Sequence, residues 1–193
     1  MRAVHRRDAA ATKRRLLDAA RAEFARVGIA GARVDRIAVD ADSNKAQIYH
    51  YFGSKDRLFD AVFEDLVAWV LSEVPIDAED LPGYAARLHD GYMAHPEVAR
   101  LAAWYQLERG GQGLLIQAIV DSNQAKVDAI RDAQAAGRIS SAFLPEVMLG
   151  LVIHLAGLWV NQTPEYLMLT DSLTTAQRRE HLVSAVKRLV ADR

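Results

Sequence analysis

Apolar positions along this chain recur at helical spacing, with no convincing strand alternation. Leu17, Ala20, Phe24 and Val27 share one helix face, and Gly28 follows as a helix stop. Val34, Ile37, Ala38 and Ala41 fall at i, i+3, i+4 and i+7, so they share a second face. Asp42, Ser43 and Asn44 then interrupt the pattern, with side chains that bond nearby backbone and favour turns and caps. Ile48 and Phe52, four apart, resume it. Two short helices joined by so short a turn predict a helix-turn-helix, whose second helix reads DNA. Phe24, Ile37, Ile48 and Phe52 are the expected core of this three-helix head.

The remainder alternates apolar helical stretches with breakers. Gly53 turns the chain and Ser54 caps a helix carrying Leu58, Val62, Leu66 and Trp69. After an acidic loop from Pro75 to Asp80, Pro82 opens a helix to about Ala94, with Tyr84, Leu88 and Tyr92 or Met93 inward. His95-Pro96 separates it from a helix carrying Val98, Leu101, Ala102, Tyr105 and Leu107. Gly110-Gly111 ends that one. A long helix is predicted from about Gly113 to Ala136, with Ile116, Ile119, Val120, Val127 and Ile130 inward, stopping at Gly137. Pro145 opens a strongly apolar helix to Asn161, with Gly150 and Gly157 on one stripe, and Thr163-Pro164 begins an irregular link. Thr174-Thr175-Ala176-Gln177 has the form of a capping box for a last helix to Ala191. The expectation is an all-α chain of about nine helices. An N-terminal helix-turn-helix DNA-binding domain over 1–53 precedes a ligand-binding and dimerisation domain over 54–193. Met1 to Ala11, with Arg2, Arg6 and Arg7, reads as a mobile arm.

Composition narrows the chemistry. The 193 residues are 51% hydrophobic, enough for one or two packed domains, and hold no cysteine, which excludes disulfides and thiolate metal sites. The absence of cysteine and of an apolar leader fits a cytoplasmic protein. The most apolar run, Val147 to Val160, is too short for a membrane span and contains His154. The net charge of −1 hides an asymmetry: residues 1–62 carry +5 and the remainder −6. A basic head on an acidic body suits DNA binding, although uneven charge alone also suits an ordinary soluble surface. There is no His-Glu-x-x-His, glycine-rich phosphate loop or Gly-x-Ser-x-Gly motif, so no catalytic residue, metal or cofactor is expected.

The second helix of the motif carries the candidate chemistry. Asn44, Lys45, Gln47, Tyr49 and His50 occupy its outward side. Gln can bond adenine bidentately and Lys can donate to guanine. Two isolated short helices would show the same face to solvent, so the flanking residues matter.

Those flanks carry a family resemblance. Asn44-Lys45-Ala46-Gln47-Ile48-Tyr49-His50-Tyr51-Phe52-Gly53-Ser54-Lys55 resembles the signature of TetR-family transcriptional regulators. So does Leu16-Leu17-Asp18-Ala19-Ala20 with Phe24, Gly28 and Ile37-Ala38, ungapped from about Thr12 to Val62. Two departures stand out: Asp42-Ser43 where the family usually has Gly-Val, and Arg33 where it has Ser or Thr. The resemblance implies DNA contacts from Arg33, Asn44, Lys45, Ala46, Gln47, Tyr49, His50 and Lys55. It also implies a small-molecule effector in the body, where Trp69, Tyr92, Trp104, Tyr105, Gln117, Met148 and His154 are the candidate ligand residues. His154 reads first as a satisfied core or interface histidine, with the ligand role as the alternative. The last two helices are implied to pair with a second copy as a homodimer. The expected function is a non-enzymatic, ligand-responsive regulator, a repressor released from a palindromic operator by a mostly apolar molecule. The competing assignment is a helical small-molecule-binding protein with weak or no specific DNA binding.

Overall fold

The computed structural model describes the backbone of residues 2–110, 115–160 and 162–191, with side chains from Ala9 onward. Its helices are α1 (Arg2–Gly31), α2 (Val34–Asp40), α3 (Lys45–Phe52), α4 (Lys55–Glu73), α5 (Leu81–Ala94), α6 (Pro96–Arg109), α7 (Gln117–Ala135), α8 (Pro145–Ala156), α9 (Pro164–Leu169) and α10 (Thr175–Val190). Among the described residues there are thus ten helices and no strand, one helix more than the sequence suggests. The addition is α9, expected to be an irregular link. Thr163 caps it, accepting from the Tyr166 N–H, and Pro164 occupies its first position, where a missing N–H costs nothing.

Three boundaries differ from expectation. The N-terminal segment read as an arm is the start of α1, because Ala9, Ala10 and Ala11 are strong helix formers and no breaker intervenes before Gly28. The side chains of Arg2, Arg6 and Arg7 lie outside the described residues. Helix α8 ends at Ala156 with Gly157 as its C-cap, short of the expected Asn161. The expected start of the long helix at Gly113 falls outside the described residues, and α7 is described from Gln117.

Contacts group the chain into two compact units, Met1–Ala68 with Arg100–Ile116, and Trp69–Ala99 with Gln117–Arg193. In the first, Leu16, Ala20 and Phe24 are fully buried at a spacing of four, so the inner stripe of α1 begins at Leu16 and not at Leu17. Ile37, Ile48, Leu58 and Phe59 complete this core, and Phe24 meets Phe59 edge to face at 5.2 Å. Its rim is also tied by charge. Arg109, only 7% exposed, pairs with Asp60 and Asp56 of α4 and lies over the Phe59 ring.

In the second unit α5, α7, α8 and α10 enclose a core of Leu81, Tyr84, Val127, Ile130, Met148, Val152, Leu182 and Val186. Val120, expected inside, is exposed, and of the alternatives Tyr92 and Met93 it is Tyr92 that packs on the core while Met93 is exposed. The capping box of α10 forms as the sequence suggests, with Thr174 accepting from the Gln177 N–H and Gln177 Oε1 accepting from the Thr174 N–H. No helix among the described residues is long and apolar enough to cross a membrane.

Candidate nucleic-acid interface

Helix α2 is anchored at both ends by α1. Arg33 is its N-cap and offers no capping side chain, as its departure from the usual Ser or Thr suggests. Glu23, 3% exposed on α1, takes over that task. Its Oε1 accepts from the Arg33 N–H at 3.2 Å, and its carboxylate also pairs with Arg26 and, at 3.3 Å, with Arg36. Burial pushes the Glu23 carboxyl up, but these donors outweigh it and hold it below its ordinary value. At the other end Arg15 Nε donates to the Ala41 carbonyl at 3.1 Å. Glu23 is not singled out by the sequence pattern, since it sits beside an apolar stripe and its partners lie as far as Arg36.

The turn follows from local backbone needs. The Ser43 N–H donates to the Ala38 carbonyl and the Asp42 N–H to Val39, the paired bonds of a helix end in the Schellman form. That form needs a left-handed residue, and Asp42 supplies it at φ 48°. Asp is among the non-glycine residues that tolerate this region, which explains how this chain dispenses with the glycine usual in the resembling family. Asn44 then caps α3, its Oδ1 accepting from the Gln47 N–H at 3.0 Å.

Buried Ile48 and Phe52 seat α3 on the core and leave its other side outward. Arg33, Asn44, Lys45, Ala46, Tyr49 and His50 are exposed, while Gln47 and Lys55 are half-buried. Lys45 Nζ pairs with Asp35 of α2 at 3.1 Å. Lys55 Nζ donates to the carbonyls of Ala30 and Ala32, both at 3.2 Å, so it ties the loop before α2. An ammonium has three donors, which leaves one for an anion.

The candidate ligand residues are divided between the units. Trp104 and Tyr105 belong to the first. Trp104 lies against Gly28, and the Tyr105 ring stands 5.0 Å from that of Phe63. Trp69, Tyr92, Gln117, Met148 and His154 belong to the second. There Met148 is fully buried, Tyr92 packs on the core and Trp69 meets His95 edge-on at 4.7 Å. Gln117 is exposed and donates to Asp121 at 2.7 Å. His154 is exposed too, its Nδ1–H donating to Gly150 one turn back at 2.8 Å.

The buried histidine of this unit is instead His89 on α5, 1% exposed. Its Nδ1 lies 3.4 Å from the Ala156 carbonyl, and its Nε2 has no partner among the described residues. Trp159 Nε1 is likewise buried without a partner. Lys126 on α7 is buried as well, and burial pulls its ammonium below its ordinary pKa. Reading the sequence by periodicity passes over His89 and Lys126, because each is a single polar residue within an amphipathic helix.

A three-helix unit with a capped turn and an outward polar α3 defines a helix-turn-helix regulator. The chain belongs to the TetR family of transcriptional regulators. Residues 16–62 match the bacterial regulatory proteins of the tetR family, and residues 80–188 match the tetracyclin repressor-like C-terminal domain. The chain is 40% identical over 188 residues to the HTH-type transcriptional repressor SCO4008 of Streptomyces coelicolor, spanning 95% of this chain and 97% of that one. It is 29% identical over 153 residues to the HTH-type transcriptional repressor NicS of Pseudomonas putida, spanning 76% and 72%. Among solved structures, SCO4942 of Streptomyces coelicolor, described as a transcriptional regulator, superposes with a TM-score of 0.82. It shares 37% identity, covering 93% of this chain and 98% of that one.

Proposed function

We propose that this protein is a repressor that binds a palindromic DNA operator as a homodimer and releases it when a small, mostly apolar effector binds. The observation that carries the DNA assignment is the polar outward side of α3, set by a capped turn and braced at both ends of α2. Similarity to two proteins named as repressors supports the sign of regulation. Lys45 and Gln47 face base edges in this reading. Arg33, Asn44, Ala46, Tyr49, His50 and Lys55 meet the sugar-phosphate backbone, which positions the helix without reading sequence. Gln47→Ala is expected to alter sequence preference at a cost of about 1–3 kcal/mol. Lys55→Met is expected to weaken all sequences alike and flatten the salt dependence. Gel shifts across salt concentrations check both, and the absence of any salt-sensitive, sequence-specific shift would overturn the repressor reading in favour of a ligand carrier.

Two features support the rest. Val147 on α8 and Leu144 before it are exposed, and a Cβ placed on Gly150 would meet nothing within 4 Å. An exposed apolar patch around a small residue suits close packing by a second copy of the chain. Light scattering at micromolar concentration is expected to give a dimer, and a stable monomer would refute this assembly. For the effector, buried His89 Nε2 and Trp159 Nε1 have, among the described residues, none of the partners that buried polar atoms ordinarily have. With Nδ1–H donating to Ala156, Nε2 is an acceptor, whereas the indole N–H is a donor. An apolar molecule with one donor and one acceptor suits the two, with Tyr92 and Met148 of the same unit as apolar lining.

A further inference from the structure

Gln47 stands at the third position of α3, where a glutamine ordinarily folds its side chain back onto the N–H of the cap residue. Here it does otherwise. Its Oε1 accepts from the Ser43 hydroxyl at 2.7 Å, one residue before the cap. The amide carbonyl is thereby drawn back to the turn. No described residue accepts from Nε2, so both of its N–H donors remain for a partner outside the chain.

We propose that Ser43 sets the base preference of Gln47, making its amide a pair of donors that selects guanine over adenine. The inference rests on α3 reading the operator through Gln47. Guanine shows two acceptors, N7 and O6, on its major-groove edge. Adenine shows N7 but also an N6 amino donor, so a bidentate glutamine contact to it needs the carbonyl as acceptor. That carbonyl keeps a second lone pair, but its bond to Ser43 draws it back to the turn and away from the side on which the amino group meets the base. Valine, usual at this position in the family pattern, has no hydroxyl with which to hold it, so the constraint belongs to this chain. Ser43 touches no base in this reading and acts as a positioning residue.

Binding sites selected from random DNA by the full-length protein test this. The position that loses its preference in Gln47→Ala is the one Gln47 reads. The native protein is expected to enrich guanine there. Ser43→Ala is expected to shift that position toward adenine, lowering the guanine-to-adenine ratio about tenfold while the other positions hold. Ser43→Thr keeps the hydroxyl and is expected to keep guanine, which separates the hydrogen bond from any general loosening of the turn. Guanine retained by Ser43→Ala, or adenine or cytosine chosen by the native protein, would overturn the role of Ser43 while leaving Gln47 a base reader. Preferences unchanged at every position in Gln47→Ala would remove the underlying assignment itself.

Discussion

A Gly28→Ala variant is expected to lose about 3 kcal/mol of stability in the first unit. Gly28 adopts φ 74° and ψ −177°, a region open to glycine alone, and forcing another residue into it costs about 1–3 kcal/mol. Space adds to the strain. A Cβ here would lie 2.7 Å from the Trp104 ring and would also collide with the Glu108 carboxylate. Glu108 is a flexible side chain and could swing away, but it is already engaged. The break at Gly28 leaves the next helical turn with free N–H groups, and the two carboxylate oxygens accept from Ile29 at 3.0 Å and from Ala30 at 2.7 Å. A carboxylate there also meets the positive end of the turn's dipole. Hydrogen exchange of the α1 to α3 amides measures the loss region by region. A change below 1 kcal/mol would mean that Trp104 and Glu108 do not hold this kink.

Glu23→Ala is the second large effect, at about 2–3 kcal/mol, because it removes a charged acceptor from a backbone N–H and from two arginines. Arg26 and Arg36 are partly exposed and can return to water, so the main loss is the anchor of α2 on the Arg33 N–H. The pH dependence has a definite sign. The folded carboxyl is held below its ordinary 4.5, so the unfolded chain takes up the proton first. Its contribution is therefore fully present above pH 4.5 and fades as pH falls through the folded value. Glu23→Gln is expected to be less stable than the native protein at pH 7, and the gap is expected to close in acid. Urea unfolding of both proteins across that range checks it; a gap constant down to the lowest pH would remove the carboxylate from the account. DNA affinity is expected to fall with α2 anchoring, since α2 and the turn present α3.

Much of this protein follows from local rules that its residues obey without knowledge of distant neighbours. Apolar spacing, together with Pro, Gly and capping residues, marks most of the helices, because a helix face and a cap each involve residues within about four positions. The capping box at Thr174 and the helix-turn-helix at residues 34–52 are of this kind. So is the family, whose motif is contiguous. The short α9 escaped because one proline read as a breaker is also a good first residue. The arm became helix because propensity outweighed its terminal position.

Tertiary structure decided what depends on pairs far apart in the chain. Glu23 capping Arg33, Glu108 capping Ile29 and Ala30, and Arg109 buried against Asp56 and Asp60 join residues separated by 10 to 79 positions. No local pattern distinguishes these side chains from solvated charges. Which histidine is buried was settled in the same way. His154 sits in an apolar run yet faces out, because a helix has more than one side, while His89 turns inward on a helix whose buried face also holds Ala85 and Leu88. The orientation of the Gln47 amide likewise waited on the fold, because the sequence places Ser43 four residues before it but does not say which of its atoms the hydroxyl will hold.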